Sequence, residues 1–169
     1  MFIALSRNYL LDVMGGPDKT GMLTSRFIQL LLSGAGFIGA IIERKEKMAK
    51  ILIVEDDPTT VQLIEFLLKK NNFEVLIAYN GVEALQIAKK EKSDLILMDV
   101  MMPKMDGIEA IEKLKKDENT RDIPIIILSA LGQEMDVMRG LQAGASSYIV
   151  KPFSPQELLT EINTKLTKK

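Results

Sequence analysis

The 169-residue chain has no cysteine and no histidine. Without cysteine there is no disulfide, no thiol nucleophile and no thiolate metal site. Without histidine the commonest general base and the commonest metal ligand are missing, and no histidine can phosphorylate itself. A surplus of either charge sign is also missing. Twenty-two Lys and Arg stand against 23 Asp and Glu, a net charge of −1. Phosphate backbones are bound through a basic surplus, so no nucleic-acid partner is expected. Long hydrophobic runs are short supply too. Phe27–Ile42 is uncharged, but it contains Gln29, Ser33, Gly34, Gly36 and Gly39 and falls short of the roughly 20 apolar residues that span a membrane. What is present is 47% apolar and 27% charged, the balance of a globular chain with a buried core. The chemistry left to it uses carboxylates, hydroxyls, lysines and a hard cation.

The composition changes near Met48. Beyond it, short apolar runs alternate with amphipathic stretches. The runs Ile51–Val54, Val75–Ala78, Leu95–Met98, Ile125–Leu128 and Tyr148–Val150 are continuous rather than alternating, as strands covered on both faces are. Between them Val61, Ile64, Leu67 and Leu68 stripe a first helix, and Ile108, Ile111 and Leu114 a third. Leu158, Leu159, Ile162 and Leu166 stripe the last. Asn80 with Glu83, Asp106 with Glu109, and Ser154 with Glu157 have the spacing of helix capping boxes. Pro58 and Pro155 sit where a first turn has no need of an N–H. The order βαβαβαβαβα calls for a parallel sheet between two helical layers, an α/β three-layer domain over residues 49–167.

Residues 1–47 admit three readings. Met48-Ala49-Lys50 looks like an ordinary cytosolic start, and Glu43-Arg44-Lys45-Glu46-Lys47 is encodable by purine-only codons of the kind found in a ribosome-binding site. Residues 1–47 are then a start-site artefact. Alternatively, segment 27–42 is a short membrane-associating helix, or the whole is a disordered or loosely docked extension.

Ligands of an open parallel sheet bind at the carboxyl ends of its strands. There the sequence places Glu55, Asp56 and Asp57 after strand one, Asp99 after strand three, Ser129 after strand four and Lys151 after strand five. Asp56 and Asp99 lie two βα units apart, Asp99, Ser129 and Lys151 one unit apart in turn. All four therefore point into one pocket. Crowded carboxylates repel unless a cation sits among them, and an all-oxygen ligand set suits Mg2+. Mg2+, a lysine and a carboxylate nucleophile suffice for phosphoryl transfer, which is mostly positioning and charge neutralisation. Asp99 is the nucleophile in that scheme. Taken singly, Asp57 and Asp106 read as helix caps, Tyr148 as an edge aromatic, and Met98, Met101, Met102 and Met105 as core filler.

Lys50-Ile-Leu-Ile-Val-Glu-Asp-Asp57, Leu95-Ile-Leu-Met-Asp-Val-Met-Met-Pro-Lys-Met-Asp-Gly107, Ile125-Ile-Ile-Leu-Ser-Ala130 and Tyr148-Ile-Val-Lys-Pro-Phe153 resemble the receiver domain of bacterial two-component response regulators. The resemblance covers the chain after Met48, with four motifs in the family's order and spacing. It implies a doubly wound, flavodoxin-like sheet of order 2-1-3-4-5. It implies that Asp99 accepts a phosphoryl group from a histidine kinase or histidine phosphotransfer protein. Asp56 would bind Mg2+ directly and Glu55 through water, with Asp99 and the backbone carbonyl of Met101 as further ligands. Lys151 would pair with the acyl phosphate, and the Lys151–Pro152 peptide would be cis. Ser129 would swing to the phosphate and Tyr148 move into the space it vacates. The face of the fourth helix, fifth strand and fifth helix, about Leu131–Leu166, would report the change to a downstream protein.

A Mg2+-dependent phosphohydrolase with an Asp nucleophile is the competing class. It wants a second Asp two residues on, where Met101 stands. Gly15-Gly-Pro-Asp-Lys-Thr20 is no P-loop. The chain is accordingly expected to be a signalling phosphoacceptor rather than an enzyme, cytoplasmic and with no output domain after its last helix. A membrane-tethered receiver follows only if residues 1–47 belong to the mature chain.

Overall fold

A computed structural model of the protein describes residues 48–167. The start-site reading of residues 1–47 and the apolar segment 27–42 concern residues outside that range. Among the described residues, strands β1 (Lys50–Val54), β2 (Glu74–Ala78), β3 (Leu95–Met98), β4 (Ile125–Ser129) and β5 (Ser147–Val150) alternate with five helices. These are α1 (Pro58–Lys70), α2 (Gly81–Glu91), α3 (Gly107–Lys116), α4 (Glu134–Gln142) and α5 (Pro155–Leu166). All strand pairings are parallel and the order is β2-β1-β3-β4-β5, the expected one.

Each strand has apolar residues on both faces because there are two cores. Leu52, Val54, Ile96, Met98, Ile125 and Ile127 pack with Ala84, Ala88, Ile111 and Leu114 of α2 and α3. The alternate residues Ile51, Ile53, Leu95, Leu97, Ile126 and Leu128 pack with Val61, Ile64, Leu68, Leu158 and Ile162 of α1 and α5. A period of two along each strand sends neighbours to opposite cores, so a run that reads as continuous is two alternating patterns superposed. No helix among the described residues is long and apolar enough to cross a membrane.

The three capping spacings resolve differently. Ser154 and Glu157 form the reciprocal box. Asp106 caps α3 through the Glu109 N–H at 2.8 Å, but the Glu109 carboxylate turns to Lys113 instead. Asn80 caps α2 through the Glu83 N–H, while the Glu83 carboxylate takes the N–H of Tyr79. Helix α4 has no side-chain cap at all, and Gly140 is its buried residue.

Candidate functional site

Backbone hydrogen bonds carry the ladders one residue past the strands. Glu55 N–H donates to Ala78 O (3.1 Å), Asp99 N–H to Val54 O (2.9 Å) and Lys151 N–H to Ser129 O (2.8 Å). The side chains that follow β1, β3 and β5 are thus aimed by the sheet rather than by free loops. Carboxylate oxygens of Glu55, Asp56 and Asp99 lie within 4.8 Å of one another, Glu55 and Asp99 buried and Asp56 exposed. The Lys151 ammonium stands 2.5 Å from Glu55 Oε2 and 3.5 Å from Asp99 Oδ1. Asp99 Oδ1 also accepts the Val100 N–H at 2.8 Å.

Burial is the largest influence on both inner acids. It pushes the Glu55 and Asp99 carboxyls up, against the pull of Lys151. Glu55 is raised further by the charge of Asp99, and Asp99 by that of Asp56. A cluster of this kind is unfavourable until more positive charge arrives. Three carboxylates with no nitrogen or sulfur donor among them fit a hard divalent ion such as Mg2+, which binds through oxygen and retains waters.

Asp57 stands apart from this group. Its side chain accepts from the backbone N–H groups of Thr59 and Thr60 and from the Thr60 hydroxyl at 2.6 Å, capping α1. Those bonds, the Thr60 hydroxyl foremost, hold its carboxyl below the usual range. Of the methionines, Met98 is fully buried and Met102 and Met105 pack against the core, but Met101 is 64% exposed and fills nothing. The Lys151–Pro152 peptide is cis.

Ser129 is the last residue of β4 rather than the residue after it, and is buried. Its Oγ accepts the Leu131 N–H at 3.2 Å, and the Tyr148 hydroxyl donates to the Leu131 carbonyl at 2.6 Å. Leu131 therefore joins the two residues through its own peptide groups. No side-chain pattern announces such a role, and the sequence did not single it out. Gly107 was also passed over. A Cβ there would lie 2.0 Å from the Asp99 carbonyl oxygen, so only glycine lets α3 start this close to Asp99. Its signal was present: a glycine directly after the capping Asp106.

The model of the response regulator receiver domain matches residues 51–163. PilH of Pseudomonas aeruginosa is 41% identical over 119 residues, covering 70% of this chain and 98% of that protein. The DNA-binding dual master transcriptional regulator RpaA of Synechocystis is 38% identical over 119 residues, covering 70% of this chain and 49% of the relative. The chain thus spans about half the length of several curated relatives it matches, RpaA among them. Among solved structures, the receiver domain of a signal transduction histidine kinase from Syntrophus aciditrophicus aligns with a TM-score of 0.67 at 35% identity, covering 71% of this chain and 91% of that one. The receiver domain of the sensor histidine kinase PA1611 from Pseudomonas aeruginosa, with magnesium in its active-site cleft, aligns with a TM-score of 0.67 at 34% identity. It covers 71% of this chain and 98% of that one. With its sheet order, its acidic cluster beside a lysine and these matches together, the chain belongs to the response regulator receiver family.

Proposed function

We propose that Asp99 accepts a phosphoryl group from the phosphohistidine of a histidine kinase or histidine phosphotransfer protein. The observation that carries the proposal is the acidic group within 4.8 Å, with the Lys151 ammonium against it. An Asp99 oxygen attacks phosphorus, the P–N bond to the donor imidazole breaks, and the departing nitrogen keeps the electron pair and takes a proton from water. Glu55, Asp56, Asp99 and the backbone carbonyl of Met101 would hold Mg2+. When bound, the ion supplies charge neutralisation for the phosphoryl oxygens. Lys151, freed from Glu55, pairs with the acyl phosphate, and Ser129 donates its hydroxyl to it.

The product is a signal rather than a turnover. Water removes the acyl phosphate slowly, and Met101 stands where a phosphohydrolase would carry its second Asp. Phosphorylation adds nearly two negative charges at one spot and favours the conformation in which Ser129 and Lys151 have closed on it. The face of α4, β5 and α5 passes that change to a separate protein. Met135, Met138 and Leu141 on α4 and Val150 on β5 are exposed there.

The test is incubation of the full chain with acetyl phosphate and Mg2+, followed by intact mass. The native chain is expected to gain one phosphate and Asp99→Asn none. A native chain that gains none, or an Asp99→Asn chain that gains as much, defeats the proposal.

A further inference from the structure

The loop from Asp99 to Asp106 carries Met101 and leads away from the acidic cluster to the start of α3. It is tied down from outside, by the first turn of α2. Gly81 N–H donates to the Met105 carbonyl at 3.3 Å. A Cβ on Gly81 would lie 2.9 Å from that same carbonyl oxygen and 2.8 Å from Met105 Cγ, so the approach requires a glycine. Glu83 adds a second tie. Its carboxylate gathers the Tyr79 N–H (3.0 Å) and the Asn80 side-chain amide (2.7 Å) from its own turn, and the Lys104 ammonium (3.8 Å) from the loop opposite. Lys104 holds a left-handed backbone, φ 67°, which a residue with a Cβ adopts only when its surroundings impose it. The Met105 N–H closes back on Pro103 O at 2.8 Å, so the strained residue lies inside a tight turn whose far end is the bond to Gly81.

An exposed ion pair at 3.8 Å contributes little by itself. The capping spacing of Asn80 and Glu83 predicts only a local box, with the carboxylate turned back to the Asn80 N–H. Instead that carboxylate spans two loops, one of them leading directly to Asp99. Gly81 makes its tie through backbone atoms, which cannot relax by changing a rotamer.

We infer that Gly81 and Glu83 are positioning residues: together they set the Asp99–Asp106 loop so that the Met101 carbonyl and the Asp99 carboxylate face one ion. The inference rests on the reading of Asp99 as phosphoacceptor and Met101 as a ligand. Residues that orient metal ligands typically change metal affinity about 10- to 100-fold when replaced. Glu83 acts through the loop rather than on a ligand directly, so an effect at or below the lower end, about 3- to 10-fold, follows.

The experiment measures Mg2+ affinity of the full unphosphorylated chain by calorimetry, and the Mg2+ dependence of its phosphorylation by acetyl phosphate. Glu83→Gln and Gly81→Ala are compared with Lys113→Ala, which removes an exposed pair with Glu109 within α3. Both α2 variants are expected to bind Mg2+ about 3- to 10-fold more weakly, with the phosphorylation rate at saturating Mg2+ nearly native, and Lys113→Ala to match the native chain. In a Gly81→Ala background, Met105→Ala relieves the clash with the Met105 side chain but leaves the one with the Met105 carbonyl, so Mg2+ affinity is expected to stay low. Native affinity in both Glu83→Gln and Gly81→Ala overturns the inference and leaves the phosphoacceptor reading intact. So does an affinity loss that Met105→Ala fully restores. A native chain that binds Mg2+ but takes no phosphoryl group defeats the phosphoacceptor reading, and the affinities alone then decide the role of Gly81 and Glu83.

Discussion

Lys151 and Glu55, 96 positions apart in sequence, meet at 2.5 Å, and the lysine supplies the positive charge nearest two buried carboxylates. Truncating it leaves Glu55 and Asp99 facing one another without that cation. Lys151→Ala is expected to lower the stability of the metal-free chain by about 1–3 kcal/mol, the usual cost of stripping a buried polar group of its partner. Added Mg2+ restores positive charge at the same place, so it should raise the melting temperature of Lys151→Ala by more than that of the native chain. Paired thermal melts with chelator and with Mg2+ check this. Equal Mg2+-induced gains in the two chains contradict it. Phosphorylation of Asp99 is expected to survive in this variant, while the difference in partner binding that phosphorylation causes is lost.

Glu55 and Asp99 are both raised, burial being the leading cause, so each binds its proton more tightly in the folded chain than in the unfolded one. Stability therefore falls as pH rises from the ordinary carboxylate range through the raised folded values, and stays reduced above them. Asparagine at 99 carries no charge at any pH and keeps an oxygen for the Val100 N–H. In chelator at neutral pH, Asp99→Asn is expected to melt above the native chain. The difference should close on acidification below the ordinary carboxylate range, where the native Asp99 is neutral too. A melting temperature for Asp99→Asn at or below native at pH 7 counts against the account.

Asp117 shifts in the opposite direction for local reasons. Its carboxylate accepts the Asn119 N–H at 2.9 Å, the Asn119 side-chain amide at 3.0 Å and Lys89 Nζ at 3.0 Å. These bonds, the Asn119 N–H foremost, hold its pKa at about 2. A depressed carboxyl contributes stability above its unfolded pKa and loses it as pH falls through the folded value. An NMR titration of the side-chain carboxyl should give a midpoint near 2. Lys89→Met should raise it only part of the way to normal, since the Asn119 N–H remains. A midpoint in the ordinary Asp range for the native chain rules out these contacts in solution.

The strands were legible because a doubly covered strand has no polar face to confuse the period, and the site residues because parallel topology sends every strand's last residues to one rim. Asp57 was readable as a cap from its own residue type and from Pro58 after it. What stayed hidden was carried by backbone atoms or by a choice between equivalent partners. Leu131 links Ser129 to Tyr148 through its peptide N–H and C=O, which every residue has. The carboxylates of Glu83 and Glu109 have the capping-box spacing but go to other donors: Tyr79 and Asn80 offer theirs in the same turn, Lys113 lies one helical turn on, and Lys104 is brought near by tertiary structure. Met101 shares its residue type with its buried neighbours, and only the loop's course puts it in solvent.

Gly140 is the one point where a single methyl group tests how α4 is seated. A Cβ there would lie 2.5 Å from Ile127 Cδ1 and 3.1 Å from the Tyr148 ring. The helix has no side-chain cap and buries no other residue, so it is the element that yields. Gly140→Ala is expected to destabilise by about 1–3 kcal/mol through overpacking. It should also speed hydrogen exchange at the Leu131 amide, since displacing Tyr148 weakens its hold on the Leu131 carbonyl. Ile127→Val removes the nearer obstacle but leaves the ring where it is. In the double variant the melting temperature should recover while Leu131 exchange stays fast, a non-additive cycle between residues in contact. If Gly140→Ala leaves Leu131 exchange unchanged, α4 and Tyr148 are not coupled through this contact, and the α4 face reads the state of Ser129 by another route.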